Sequence, residues 1–468
     1  MTRYNSERRK WFRLLSLLWL ASIALIVLAS QAQSSPFITE VLSYNPGPSQ
    51  YEMIVDPDQR QYYMDLYMTP AKAIGAPVGA PVNMGNITSV VTLGDGGKIT
   101  LAFDHDVEND PDNPGGYDFI VFSNAFWIGS NPQLRWQEPA FVEISQDNIT
   151  WYLIKPNPLP SQLLSLDAVG MSSTILQNYA EYTPTLQKPA NRTNEEFYTV
   201  PDRQSDDSIE DPTLRLDLLK IDAVSGGGDA FDIADAVVES SPGVPELDIG
   251  GNTIPAGISS FRFIRVTDAV AEGTSDPELG EISAEIDAVA DVAPAISVGA
   301  AKQLDSTTQT VIWGAQVTAT FSEEAFWIQQ PDRSAGLKIQ STAAVAEGDL
   351  VAVTGHITEQ NGEKVISDAF VTVLEHGTAP KPLGMINKST GLTIAQGLLV
   401  RVWGKRIASG TGWVTVDDGS GLPVIVEYGS ITTLPENVTF VMATGVLTQD
   451  TSGTSPVVKI RKPADINY

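Results

Sequence analysis

Apolar positions along this chain fall into short runs set between turn residues, not into long helical stripes. Ile99, Leu101 and Phe103 alternate with polar positions after the turn Gly94-Asp95-Gly96-Gly97, and Phe119 to Phe122 and Phe141 to Ile144 are unbroken apolar stretches. Alternation with a period of two marks half-buried strands, and short continuous runs mark strands buried on both faces. The segments Phe141 to Ser145 and Trp151 to Ile154, separated by Gln146-Asp147-Asn148, predict a hairpin; Phe261 to Val266 and Ile282 to Val289 predict later strands. The clearest helix signal is Thr69-Pro70-Ala71-Lys72-Ala73-Ile74-Gly75, with Thr as cap, Pro in the first turn and Gly as stop. An all-β chain follows, opening with an antiparallel β-sandwich of short strands with long loops.

The second half repeats itself. Phe326-Trp327-Ile328, Gly336-Leu337-Lys338-Ile339 and Val353-Thr354-Gly355 match Gly412-Trp413-Val414, Gly421-Leu422-Pro423-Val424 and Ala443-Thr444-Gly445 at nearly constant spacing. Two small β modules are predicted, at 295–380 and 381–468, after the sandwich at 33–294, whose insertion at about 155–225, with Ser205-Asp206-Asp207-Ser208-Ile209-Glu210-Asp211, reads as mobile acidic loops with a short helix. The repeat resembles the tandem OB-fold domains of exported bacterial proteins, and the OB barrel is a general platform for oligonucleotides and oligosaccharides. Trp327 and Trp413 are expected in the barrel cores. The 468 residues suit about three folding units.

Charge divides the chain further. The overall net charge is −28, but of the 57 acidic residues 40 lie between Gln33 and Pro294 against only 12 of the basic ones. Residues 1–32 read as a secretory signal peptide: Arg3, Arg8, Arg9, Lys10 and Arg13 precede an uncharged run from Leu14 to Ala29, then Ser30-Gln31-Ala32. The run is shorter than the ~20 residues a membrane span needs, so cleavage is favoured over anchoring. A secreted or cell-surface protein is therefore expected, with no membrane span after cleavage. Cysteine is absent, which removes disulfides, thiolate metal sites and Cys nucleophiles.

Val91-Thr92-Leu93-Gly94-Asp95-Gly96-Gly97, Gly116-Tyr117-Asp118-Phe119-Ile120-Val121-Phe122-Ser123-Asn124, Glu138-Pro139-Ala140-Phe141-Val142-Glu143, Gly227-Gly228-Asp229-Ala230-Phe231-Asp232 and Phe263-Ile264-Arg265-Val266-Thr267-Asp268 together resemble a family of exported bacterial cell-surface domains. The closing Ala284-Glu285-Ile286-Asp287 is also similar to the last strands of galactose-binding and discoidin-type jelly rolls. The resemblance implies a β-sandwich used for surface attachment or ligand binding, without a general catalytic activity. Ser123 stands where the family often has an acidic residue, and Asp110 to Pro114 lengthens the usual turn.

Two acidic clusters suggest Ca²⁺, which takes six to eight hard oxygen ligands from flexible, Gly-containing loops. One runs from Asp104 to Asp118 and the other holds Asp229, Asp232 and Asp235 after a triple-Gly turn. The candidate ligands are Asp118, Asp229 and Asp232, with Asp110 and Asp112 as further members; a solvated acidic surface is the competing reading. Glu285 is a separate candidate through the jelly-roll likeness. For a glycan or cell-envelope partner the candidate contacts are Trp127 and Trp136, which flank the turn Gly129 to Gln133, with Tyr117 and Asn124. Aromatics in a sandwich also serve as core.

No Gly-x-Ser-x-Gly elbow, His-Glu-x-x-His or Walker loop is present, and the histidines are His105, His356 and His376. The reading is a non-catalytic exported or cell-surface binding protein for a glycan or envelope partner, with structural calcium, expected as a monomer. The alternatives are a calcium-dependent extracellular polysaccharide hydrolase and single-stranded nucleic-acid capture by the barrel pair. Net negative charge sets the expectation against nucleic acid as a partner.

Overall fold

The computed structural model describes residues 34–468 except 86–87, 161–168, 206–207, 271–274, 277–279 and 323. The segment read as a signal peptide lies outside the described residues. A seven-stranded sheet orders Glu40–Asn45, Lys98–Glu108, Ser260–Asp268, Ala140–Ser145, Tyr152–Ile154, Ala236–Ser241 and Val244–Pro245. A four-stranded sheet orders Asp229–Phe231, Phe119–Ser123, Glu285–Asp291 and Val91–Thr92. Ile99, Leu101, Phe103, Val142, Ile144 and Ile264 from the first sheet meet Phe119, Val121, Ile286 and Val289 from the second in one buried core. The hairpin read from Gln146-Asp147-Asn148 is present, with Glu143 opposite Leu153 and Ile144 opposite Tyr152. The Gly94 to Gly97 turn is glycine by necessity: Gly94 and Gly96 have positive φ, and a Cβ on Gly97 would sit 1.8 Å from the Leu93 carbonyl oxygen.

The helix read at Thr69 to Gly75 is displaced. Pro70–Ala73 forms a single 3₁₀ turn in which Thr69 makes no capping bond, whereas an α-helix spans Pro57–Tyr67 just before it. Asp56 caps that helix by accepting from the Asp58 and Gln59 amides. Its residues carry no apolar period and none is buried, so only the Asp-Pro start signal marks it in the sequence. Tyr51 stacks on Tyr67 at 4.8 Å and on Tyr63 at 6.2 Å, which supplies the contact an apolar stripe ordinarily would.

The described part of the insertion is packed, contrary to the reading of mobile acidic loops. Tyr179, Tyr182, Phe197 and Tyr198 are buried. A capping box, Thr193 with Glu196, starts the helix Asn194–Tyr198. This segment also docks on the first barrel: Val200 and Val224 pack with Val311 and Ala352, and the Val224 amide donates to Thr372 Oγ1.

The last third is two barrels of one topology. Strands Gln309–Ser322, Ala325–Gln329, Gly336–Gln340, Glu363–Glu375 and Leu350–Gln360 close a five-stranded barrel. Leu399–Gly410, Trp413–Asp417, Val424–Glu427, Pro456–Lys459 and Phe440–Gln449 repeat the order, and the first strand pairs again with Phe440–Gln449. In each barrel the third strand runs parallel to the fifth, as Ile339 with Ile366 and Val426 with Val458. This is the OB order. The two tryptophans are not barrel core: Phe326 and Ile328 point inward, while Trp327 packs outward against Phe321 and Val446 of the second barrel. Trp413 also faces outward and is 37% exposed.

Candidate functional site

The predicted calcium ligands do not gather into one site. Asp118 is buried at the entrance to its strand, where Oδ1 accepts from the Asp110 amide and Asn113 Nδ2 and Oδ2 accepts from the Ile233 amide at 2.8 Å. Asp232 lies beside it and caps the turn at Ala234. Asp110 accepts from the Asp112 amide, closing its own turn. Asp229 faces a different segment and accepts from the Tyr182 and Thr183 amides at 3.0 and 2.8 Å. Burial pushes Asp118 up to about 6 and Asp229 up to about 7. These carboxylates tie loops to strands, and each is accounted for by the backbone and side-chain donors it accepts from.

A different set does converge. Glu138 precedes the strand Ala140–Ser145, and Glu181 follows Ala180, whose backbone exchanges both hydrogen bonds with Ala140. Glu285 opens the strand Glu285–Asp291. One carboxylate oxygen from each of the three lies within 4.8 Å of the others, and all three side chains are buried. Glu285 Oε1 accepts from Thr92 Oγ1 at 2.9 Å and Oε2 from Asn124 Nδ2 at 2.5 Å, while Glu181 Oε2 accepts from the Glu285 amide at 2.5 Å. Burial, then the neighbouring carboxylates, holds Glu138 and Glu181 well above the ordinary range; burial also raises Glu285. Among the described residues this is the one group of three or more side chains arranged to hold a metal. Glu285 was legible through its likeness to jelly rolls. Glu138 opens the segment Glu138 to Glu143, which by itself implies no role for it, and nothing in the sequence around Glu181 marks that residue.

The aromatic candidates are not a surface platform. Trp127 and Trp136 are buried, and Trp136 stacks on Phe126 at 6.3 Å. Tyr117 is half-buried against the Phe37 and Phe122 cluster, and Asn124 belongs to the carboxylate group. What the flanked turn does supply is a wall: Pro132 and Gln133 line a cavity of about 340 Å³ with Arg135, Ile175, Tyr182 and Leu216.

A second electrostatic feature sits on the large sheet. Glu143 is buried in an ion pair with Arg265, whose guanidinium lies 4.4 Å over the Trp151 ring. Glu239 lies next to it, and burial and then repulsion from Glu143 push its carboxyl up to about 7. A folded-state value above the ordinary 4.5 means that the native state binds this proton more tightly than the unfolded one, so stability falls as pH rises between about 4.5 and 7. Glu239→Gln is therefore expected to raise the unfolding midpoint relative to wild type at pH 8 and to make little difference at pH 4, read by urea titration at both pH values.

The second barrel carries a ring-and-cation face. Along Leu399–Gly410, Val400 and Val402 point into the core, and Arg401, Trp403 and Lys405 point outward. Across the pair, Arg401 lies opposite Thr444, Trp403 opposite Met442 and Lys405 opposite Phe440. Arg401 and Lys405 are exposed, Trp403 is half-buried and Phe440 is 50% exposed.

No protein-family model matches the chain, and no curated protein matches it. Solved structures similar to parts of it include a murine DNA-binding protein bound with double-stranded DNA, 13% identical over 32% of this chain and 90% of that one at a TM-score of 0.22. The Ifi202 HINa domain in complex with 20-base-pair DNA is 11% identical over 33% and 92%, at 0.20. The p202 HIN1 domain in complex with a 12-mer duplex is 10% identical over 33% and 88%, at 0.19. These neighbours are DNA complexes, and the expectation against nucleic acid as a partner is withdrawn, because the net charge on which it rested lies in the sandwich and not in residues 295–468. At such scores they say nothing of what this chain itself binds.

Proposed function

We propose that this is a non-catalytic binding protein, exported from the cytoplasm, whose second OB barrel takes a strand of nucleic acid on its outer face. The observation that carries the reading is the alternation of Arg401, Trp403 and Lys405 on one outward-facing strand side, with Phe440 across from Lys405. Stacking rings interleaved with cations are what an unpaired strand needs, the rings for bases and the cations for phosphates. Charge does not oppose it locally, because residues 295–468 hold 12 basic and 16 acidic side chains, far nearer balance than the sandwich. The basic and then apolar segment at 1–32 supports export. The converging carboxylates are sealed from solvent, which favours binding over polymer hydrolysis.

Fluorescence anisotropy with a labelled single-stranded oligonucleotide at low salt tests this. Wild type is expected to bind, and Trp403→Ala to weaken it roughly 5- to 150-fold, since stacking is worth about 1–3 kcal/mol per base. Lys405→Ala is expected to weaken binding and to reduce the salt slope by about 0.7. A folded wild-type protein that fails to bind at low salt overturns the proposal, and so does binding that Trp403→Ala and Lys405→Ala leave unchanged.

A further inference from the structure

Three carboxylates buried together pose a problem of charge. Transferring one ionised carboxylate out of water without a partner is costly, and three at mutual contact distance compound it. The cation acting on Glu285 is Lys72, whose ammonium donates to the Thr88 carbonyl at 2.7 Å. One ammonium cannot balance three carboxylates.

A second observation bears on the same spot. Asn124, 5% exposed, gives its Nδ2 to Glu285 while its Oδ1 is buried without a hydrogen-bonding partner. Glu181 Oε1 is likewise buried and unpartnered. Buried polar atoms are almost always paired, so an orphaned oxygen on Glu181 within the group, and another on the amide that donates to Glu285, mark a place built for something else. Rotating the Asn124 amide by half a turn exchanges its nitrogen and oxygen with no change of shape. It would then present Oδ1 alongside Glu285, where the present arrangement places a donor.

From this geometry we infer that Glu138, Glu181, Glu285 and Asn124 Oδ1 form a Ca²⁺ site inside the sandwich, separate from the acidic loops at Asp110 to Asp118 and Asp229 to Asp235. All four donors are hard oxygens, with no sulfur or imidazole, which selects a hard cation over zinc or copper. Ca–O distances of about 2.3–2.6 Å put oxygens on opposite sides of the ion about 4.6–5.2 Å apart, so a group spanning up to 4.8 Å accommodates it. The site joins three parts of the sandwich that are far apart in sequence: the approach to Ala140–Ser145, the insertion and the last strand. In a chain without disulfides it would serve as their clamp.

Trp136 supplies the readout, because its side chain is hydrogen-bonded to Glu138. The full chain, stripped with chelator and titrated with Tb³⁺ as a Ca²⁺ surrogate, is expected to show lanthanide emission on excitation of tryptophan, and Ca²⁺ is expected to quench it by competition. Ca²⁺ is also expected to raise the thermal midpoint of the stripped protein, since an ion that binds only the native state must stabilise it. Glu181→Gln and Glu285→Gln keep side-chain shape; both are expected to lose the emission and the Ca²⁺-dependent shift while retaining a native far-ultraviolet spectrum. Absence of emission and of any midpoint shift in wild type overturns the inference without reference to a variant. So does emission that survives both substitutions and disappears when Asp110 and Asp112 are replaced, which would move the ion to the loop. Neither outcome depends on whether the second barrel binds nucleic acid.

Discussion

Arg135→Ala is expected to destabilise the sandwich by about 3–5 kcal/mol, the range for removing one partner of a fully buried charged network. Arg135 is 4% exposed, and its guanidinium donates to three main-chain carbonyls: Nε to Pro132, Nη1 to Tyr182 at 3.0 Å and Nη2 to Leu219. It also lies 3.9 Å over the Tyr182 ring. Those carbonyls belong to the turn beside the cavity and to two places in the insertion, so one side chain holds three loops. Its removal leaves three acceptors without their donor, each worth about 1–3 kcal/mol if unsatisfied, less whatever water admitted through the adjoining cavity recovers. It also strips Asp229 of the cation that favours its ionised form and leaves Asp202 with Arg203 alone. Arg135→Lys is expected to recover only part of the loss, because a single ammonium cannot span the fork. Urea titration with intrinsic fluorescence checks both; a loss under about 1 kcal/mol for the alanine variant would show that the loops are held by other contacts.

How far such features could be read in the sequence depends on whether the signal was local. The strands Lys98–Glu108 and Phe119–Ser123 announce themselves, because burial on one face or two writes alternation or continuity into neighbouring residues. The barrel repeat was visible for the same reason: Trp-to-Gly spacing records a strand and its turn. The direction of Trp327 and Trp413 was not visible, since equivalent repeat positions say that two residues share an environment and not whether it lies inside the barrel. The insertion was misread through its charge. Acidic loops suggested mobility, but Tyr179, Tyr182, Phe197 and Tyr198 are a concentration of aromatics that segments unable to fold seldom carry. The acidic loops and the converging glutamates differ in how the sequence records them. Dense carboxylates at Asp104 to Asp118 drew attention because they are close in sequence, whereas Glu138, Glu181 and Glu285 meet only after an Ala140 to Ala180 bridge and a sheet crossing. Convergence across such separations is tertiary information, and isolated glutamates on or near buried strands were its only trace.

Arg192→Ala is expected to uncouple the sandwich from the barrels, separating one unfolding transition into two. Arg192 is 6% exposed at the junction; it donates to the Val224 and Glu196 carbonyls and to Thr354 Oγ1 of the first barrel, with its guanidinium 5.0 Å from the Phe197 ring and 4.6 Å from the Phe370 ring. His356 of the barrel reaches Glu196 from the other side at 2.5 Å, and Arg203 donates to the Leu374 carbonyl. Around them Val200 and Val224 pack on Val311 and Ala352. The apolar contact survives the substitution, but the buried charge that organises its polar groups does not, and a loss of about 2–4 kcal/mol at the junction follows from the unsatisfied carbonyls and lost ring contacts. Differential scanning calorimetry decides it: wild type is expected to give calorimetric and van't Hoff enthalpies in agreement, and Arg192→Ala a broadened or double endotherm. A cycle with Phe370→Ala isolates the ring contact, with a coupling of about 0.5–3 kcal/mol expected for groups that touch. Added Ca²⁺ then has a distinct signature. In wild type it should shift the whole transition, because a ligand held by one part of a cooperative unit stabilises all of it. In Arg192→Ala it should move the sandwich transition alone and leave the barrels where they were; an unsplit endotherm in that variant would mean that the apolar contact by itself carries the coupling.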